Sequence, residues 1–320
     1  MGFSEFVEKI KSTGKRSNTS TYANFLEGKA PIFTQYGDRI YKSDVVRQCI
    51  SRIATEMSKL QPRQIRKSSD GLMTTPRNAL NRLFENSPNE LMTTADFLER
   101  ITWILFLNYN AFIYPAYEVK ADENGIVYKE YTALYPLMPN RVEFFRDLTE
   151  RLFIKLFFAN SVVFELPYNE IIHIRNEYSV SDFMGGNEYG QPDTTGIEET
   201  VQINHDICSS VAMAAKYGLR TTGIYKYHAA LDGDSAKVER DRIENLISSG
   251  KSGILLTDFK GEFTPIKTDV KMIDEATMKF FDSKILRNYN VSLPILSGDF
   301  TADQYQAFYE TALEALIIKL

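Results

Sequence analysis

His173 and Arg175 alternate with Ile172 and Ile174, so an extended backbone would turn both basic side chains to one face, where they could hold an anion or a phosphate. No recognisable nucleophile pattern accompanies them, and the other two histidines, His205 and His228, fall in different elements. A structural hydrogen bond or an interface contact is the reading they favour. Gly250-Lys251-Ser252 has the end of a phosphate-binding loop, but Asn245 stands where the leading glycine belongs. The order there is helix, turn, strand, whereas the motif needs strand, loop, helix, so it reads as a helix C-terminal turn. Gly185, Gly186 and Gly190 follow a strand and precede a helix, yet their spacing misses the dinucleotide fingerprint and no acid is placed for a ribose. They predict a flexible loop. Asp232-Gly233-Asp234 opens like a calcium loop without the ligands that should follow, and Asp234 serves better as a helix cap. No catalytic residue, metal site or cofactor is predicted, and the chain reads as a non-enzyme.

What positions these residues follows from composition and pattern. The 320 residues are 43% hydrophobic and 25% charged, which is globular, and the length predicts two domains. Lys+Arg 37 against Asp+Glu 42 gives a net charge of −5, so a tight grip on nucleic acid is excluded but a passage for DNA is not. Cys49 and Cys208 are too few for a disulfide scaffold and are expected to pack as small apolar side chains. The acidic start does not resemble a secretion signal. The longest uncharged stretch, 101–117, falls short of the ~20 apolar residues of a membrane span and predicts a buried helix running into a buried strand.

Residues 1–40 read as an arm that orders only against a partner. Val45, Val46, Cys49, Ile50, Ile53, Ala54, Met57 and Leu60 predict an amphipathic helix over 44–60. A short strand at 64–67, a short helix at 75–85 and an apolar helix over 94–107 follow. Six strands, 112–120, 127–134, 141–145, 151–158, 161–166 and 171–175, then predict a mostly antiparallel sheet domain. Beyond the glycine-rich loop 182–193, a helix runs to about Tyr217, followed by a strand at 224–230, a charged helix at 234–249 and a hairpin within 253–268. A helix over 270–289 carries apolar residues on two faces, Ile273, Ala276 and Phe280 on one and Met278, Phe281 and Ile285 on the other, which predicts packing between subunits. A loop, 290–300, leads into a last helix opened by a Thr301/Gln304 capping box. The apolar pattern of that helix reaches Leu320, and the native protein is expected to continue past it.

The order of these motifs resembles the portal proteins of tailed bacteriophages, in their shorter siphophage branch. The similar stretches are 45–60 (Val-Val-Arg-Gln-Cys-Ile-Ser-Arg-Ile-Ala), 86–97 (Asn-Ser-Pro-Asn-Glu-Leu-Met-Thr-Thr-Ala-Asp-Phe), 108–113 (Asn-Tyr-Asn-Ala-Phe-Ile), 134–142, 170–175 (Glu-Ile-Ile-His-Ile-Arg), 289–294 and 308–313. Tyr109 stands where the family often has Gly, and Ala315 where a Pro commonly lies. The resemblance implies an α+β, ring-forming portal fold: a mostly antiparallel sheet wing, long stem helices and a small α/β clip. Carried onto this sequence, the wing is 41–194, the stem helices 195–218 and 270–289, the clip 219–269 and the tunnel loop 290–300, with 301–320 leading toward a crown.

It further implies a homo-oligomeric ring, usually dodecameric, at one capsid vertex of the virion, assembled in the bacterial host cytoplasm. Double-stranded DNA passes through it, held weakly and without sequence preference. The implied partners are the terminase large subunit, a head-tail adaptor and the major capsid or scaffold protein, with no membrane involved. The loop has no Lys or Arg to neutralise phosphates, so it could touch DNA without gripping it. Asn290, Ser292, Ser297 and Asp299 are its DNA-facing candidates. Ile273, Phe280, Phe281 and Ile285 are the candidates for the subunit interface, since a cyclic contact needs two complementary patches. Two other classes compete: a nucleic-acid-processing enzyme using His173 and Arg175, and a passive head-tail connector or minor capsid protein.

Overall fold

Val46, Cys49, Ile50, Ile53, Ala54 and Met57 come together as the buried side of helix α1, Asp44–Ser58. The computed structural model describes residues 43–122, 124–158, 162–176, 181–187, 190, 195–218, 223–227, 233, 237, 238, 241, 261–265 and 274–320. The expected arm at 1–40, most of the charged helix, the Gly250-Lys251-Ser252 turn and Ile273 lie outside the described residues.

Strands β1, Arg66–Lys67, and β2, Met73–Thr74, form a small ribbon, and α2, Ala79–Glu85, follows. Helix α3, Thr94–Asn108, starts on a reciprocal capping box between Thr93 and Asp96. It ends at Tyr109, whose φ of 54° is left-handed. That backbone suits glycine, which explains why a glycine would be expected there and marks a local strain in this chain.

Strands β3, Asn110–Ala121, β4, Val127–Leu137, β5, Arg141–Arg146, β6, Leu152–Phe157, β7, Val163–Pro167, and β8, Ile172–Arg175, match the six expected strands to within a few residues. They pair antiparallel throughout, as two three-stranded sheets ordered β4-β3-β8 and β5-β6-β7. Along β3, Phe112, Tyr114 and Ala116 enter a core with Val142, Ile154, Leu156, Phe164 and Leu166 of the second sheet. The alternate residues Ala111 and Ile113 meet Phe97, Ile101, Ile104 and Leu105 of α3. The first sheet is therefore sandwiched between helix and sheet, and the unbroken buried run of residues 110–116 records two covered faces.

The chain divides into two compact units, one of residues up to 201 with 281–320 and one of 202–280. Helix α4, Thr195–Gly218, and helix α5, Glu275–Asn288, each cross a boundary between them. In the second unit, β9, Gly223–Tyr227, pairs antiparallel with β10, Gly261–Pro265. Thus the segment read as a local hairpin supplies a strand to a partner some forty residues earlier. Cys49 is buried as expected, whereas Cys208, expected to pack as a small apolar side chain, is exposed on α4 and its thiol donates to Asn204 Oδ1 one turn earlier.

In the first unit α1 has two buried faces. Cys49, Ile53 and Met57 pack with Leu286, Val291, Ile295, Phe308, Leu313 and Leu316 of the C-terminal segment. Val46 and Ile50 pack with Ile197, Val201 and Ile285. The C-terminal segment comprises α6, Leu293–Ser297, α7, Ala302–Phe308, a π-helical turn, Tyr309–Leu313, and α8, Glu314–Lys319. Ala315 permits helix where proline would kink it, and the irregularity appears instead as the wide turn just before it.

Candidate functional site

The segment from the end of α5 to the start of α7 is held by alternating anchors. Val291 N–H donates to Leu286 O at 3.1 Å and closes the turn after α5, with Asn290 in the left-handed region at φ 53°. Pro294 opens α6 and Gly298, at φ 80°, closes it, so the expected loop contains one short helix. Val291 and Ile295 are buried, at 4% and 0% exposure, in the core built on α1, while Leu293 stands 63% exposed. Ser292, Ser297 and Asp299 are exposed, and Ser297 Oγ turns back to Pro294 O at 3.2 Å. Asn290 is exposed too, but its amide donates to Thr311 O in the π turn at 3.4 Å. A groove of about 560 Å³ lies alongside, lined by Arg287, Asn290, Ser292, Gln304, Phe308 and Thr311.

The far end of the segment is locked by residues that the sequence reading missed. Phe300 stacks on Tyr305 with ring centroids 5.6 Å apart, and the Arg52 guanidinium lies 5.6 Å from the Phe300 ring. Tyr305 donates its hydroxyl hydrogen to Glu56 Oε2 at 3.0 Å. The other oxygen of Glu56 meets Lys59 at 2.8 Å and Arg52 at 3.2 Å. Burial pushes the Glu56 carboxyl up, but these hydrogen bonds and the two cations outweigh it and hold it below the usual glutamate value. The available signal was an acid at a core position of an amphipathic helix, beside Met57.

The subunit-interface candidates separate. Ile285 is fully buried against Val46, Ile50, Ile197 and Val201 of its own chain and has no surface left for a neighbour, so it is removed from that set. Phe280 is 57% exposed and Phe281 partly so. Of the second apolar face read from α5 only Ile285 is sealed, while Met278 and Phe281 keep part of their surface and Ala276 and Phe280 of the first face are exposed.

The His173–Arg175 pair belongs to a different arrangement. His173 Nδ1 accepts from the Tyr168 hydroxyl at 3.0 Å and its Nε2 donates to Asn110 Oδ1 at 3.1 Å, the tautomer that satisfies both contacts. Burial, with the Arg175 charge second, pushes the imidazole down to about 3, so it is neutral at physiological pH. The Asn110 amide also donates to Asn108 O, Gly185 O and Gly190 O and accepts from Gly185 N–H at 2.7 Å. Arg175 donates to Asp182 O at 2.8 Å. A Cβ on Gly185 would come within 2.5 Å of Asn176 O and 2.7 Å of Tyr109 O. Asn110 and these partners thus pin residues 182–187 and Gly190 to the sheet, and the flexible loop expected there is, in its described residues, a fastened one. The pair does structural work, and Asn110, the hub, was visible only as part of a motif.

Among the described residues no group of three or more His, Cys, Asp or Glu could hold a metal ion, and no helix is long and apolar enough to cross a membrane.

The chain is 15% identical to a chain in the neck of an empty gene transfer agent (GTA) particle computed with C6 symmetry, with a TM-score of 0.60 over 90% of this chain and 80% of that one. The neck of a native GTA particle computed with C12 symmetry gives 0.61 at 13% identity, covering 91% and 80%. An HK97-family phage portal protein from Corynebacterium diphtheriae gives 0.52 at 12% identity, covering 90% and 88%. No curated protein matches the sequence. These likenesses establish the fold, and the family model described as phage portal protein matches residues 44–320. That match spans both sheets, the two boundary-crossing helices and the anchored segment before the last helix, and the chain belongs to the phage portal protein family.

Proposed function

We propose that this chain is the subunit of a portal ring, twelve-fold by the family resemblance, that sits at one capsid vertex and lets double-stranded DNA pass during packaging and ejection. The observation that carries the reading is the segment Asn290–Phe300, which is anchored through Val291, Ile295 and the Phe300–Tyr305–Glu56 lock yet presents Ser292, Ser297 and Asp299 without a single Lys or Arg. A duplex sliding past such a surface loses few counterions and meets little salt-dependent attraction. Ring assembly is supported by membership of the family and by related necks solved with C6 and C12 symmetry. In this reading residues 41–194 are the wing, 195–218 and 270–289 the stem, 219–269 the clip that docks the terminase large subunit, and 290–300 the tunnel loop. A head-tail adaptor and the capsid or scaffold protein complete the partners, in a virion assembled in the host cytoplasm. The family is generally structural, and no catalytic role is assigned.

Particle images of the purified protein test this directly: rings with a channel wide enough for a duplex are expected. A compact monomer at every concentration overturns it. Ser292→Lys with Ser297→Lys is expected to make DNA retention by the ring salt-dependent, because each phosphate neutralised adds to the salt slope. Terminase binding that disappears when 219–269 is altered separates a portal from a passive head-tail joint.

A further inference from the structure

The ribbon β1–β2 projects with no core of its own. Residues 63–75 are all exposed, Ile65 at 58%, Leu72 at 66% and Met73 at 65%. A pair of two-residue strands does not hold itself in water, and here the root is fixed instead. Asn81, 2% exposed, accepts from Gln64 N–H at 2.7 Å and donates to Gln64 O and Pro76 O. Residues 61–77 carry Arg63, Arg66, Lys67 and Arg77 against one acid, Asp70, in a chain whose net charge is −5. Among the described residues none of the four cations has an ion pair within the chain.

The opposite surface is on the last helical segment. Residues 302–314 carry Asp303, Glu310 and Glu314 and no Lys or Arg. The acids stand seven and four residues apart and all three are exposed, with Tyr309, 37% exposed, beside Glu310. None of the three has an ion pair within the chain among the described residues. A rooted basic projection with apolar side chains, and an acidic helical face with no cation against it among the described residues, where only Gln306 donates to Glu310 at 2.7 Å, are the two different patches that a heterologous contact between identical subunits requires.

We infer that in the ring the 63–77 projection of one subunit docks on the Asp303–Glu310–Glu314 face of the next. This rests on the ring reading above. The exposed Ile65, Leu72 and Met73 favour a protein partner over a nucleic acid, whose backbone would reward the cations alone.

Two full-length variants test it, Arg66→Glu with Lys67→Glu and Glu310→Lys with Glu314→Lys. All four positions are exposed, so thermal unfolding of each variant is expected to match the wild type. Each variant alone would oppose like charges, and the ring fraction measured by particle imaging is expected to fall by about tenfold or more at low salt. An equimolar mixture should recover rings, because an alternating arrangement pairs every projection with a face of opposite charge, and those rings should have even subunit numbers. Wild-type rings with unimpaired assembly of both variants overturn the pairing while leaving the portal reading intact, as does a mixture that fails to recover. Intact rings that lose only DNA retention in the Arg66/Lys67 variant also overturn it, in favour of a nucleic-acid contact. Wild-type chains that never form rings overturn the portal reading and the pairing together.

Discussion

The Asn110 junction and the 290–300 segment are both irregular backbone fastened to a helical or sheet frame, yet they are fastened by opposite means. At Asn110 every polar group of a buried amide and a neutral imidazole is answered by another, and the loop is held by hydrogen bonds to that buried amide. At 290–300 the segment's own anchors are apolar, Val291, Ile295 and the Phe300 ring, which stacks on the Tyr305 held by Glu56, and Ser292, Ser297 and Asp299 are left at the surface. A saturated network fixes a shape and has nothing left to offer a partner, whereas apolar anchors leave the polar groups to meet one. The contrast supports the proposed DNA contact at the second region and a scaffold role for the first.

The largest break in that contrast is expected from Asn110→Ala, which leaves Gly185 N–H and three carbonyls in the interior with no amide to meet. A loss of about 3–5 kcal/mol in unfolding free energy is expected, read by denaturant titration. A loss under about 1 kcal/mol would mean water replaces the amide and the junction is not dry.

His173 sharpens the comparison through pH. Its folded value lies near 3 against an ordinary 6.5, so between these limits the unfolded chain binds the extra proton and stability rises with pH. The expected contribution to the slope is ~1.4 kcal/mol per pH unit across that window, fading above it. His173→Gln should flatten the slope between pH 6 and 4, and an unchanged profile would show that the imidazole is solvated.

Tyr305→Phe removes the hydroxyl that answers Glu56 while Lys59 and Arg52 remain, so a smaller loss of about 1–2 kcal/mol is expected from thermal melts. Because the folded carboxyl of Glu56 is lower than the unfolded one, its share of stability is present above the ordinary glutamate range and disappears as pH falls below it. The variant should narrow that acid limb. The smallest effect is expected at Ser292→Ala, Ser297→Ala and Asp299→Ala, each within about 0.5 kcal/mol of the wild type in stability. A large loss at any of them would make that side chain scaffold and erase the distinction.

Much of the frame was legible before any coordinates. The spacing of Val46, Cys49, Ile50, Ile53 and Met57 dictates a helix, the Thr301/Gln304 box sets a helix start, and branched and aromatic runs give all six strands. These are local rules, decided within a few residues. The absence of Lys and Arg from 290–300 is likewise a fact of sequence, and it carries the proposed function.

What packing alone decided is which partner each face meets. Ile285 and Phe280 look alike in a helical pattern, but one is sealed under α1 and α4 and the other is exposed, because the sides of a helix are equivalent until the rest of the chain arrives. Glu56, Asn110 and His173 are ordinary polar letters whose meaning depends on residues up to 249 positions away, such as Tyr305. Amphipathic period and capping are written in neighbouring residues. The enclosure of a charge or an amide depends on chain closure over long separations, and only the folded structure brings those atoms within reach.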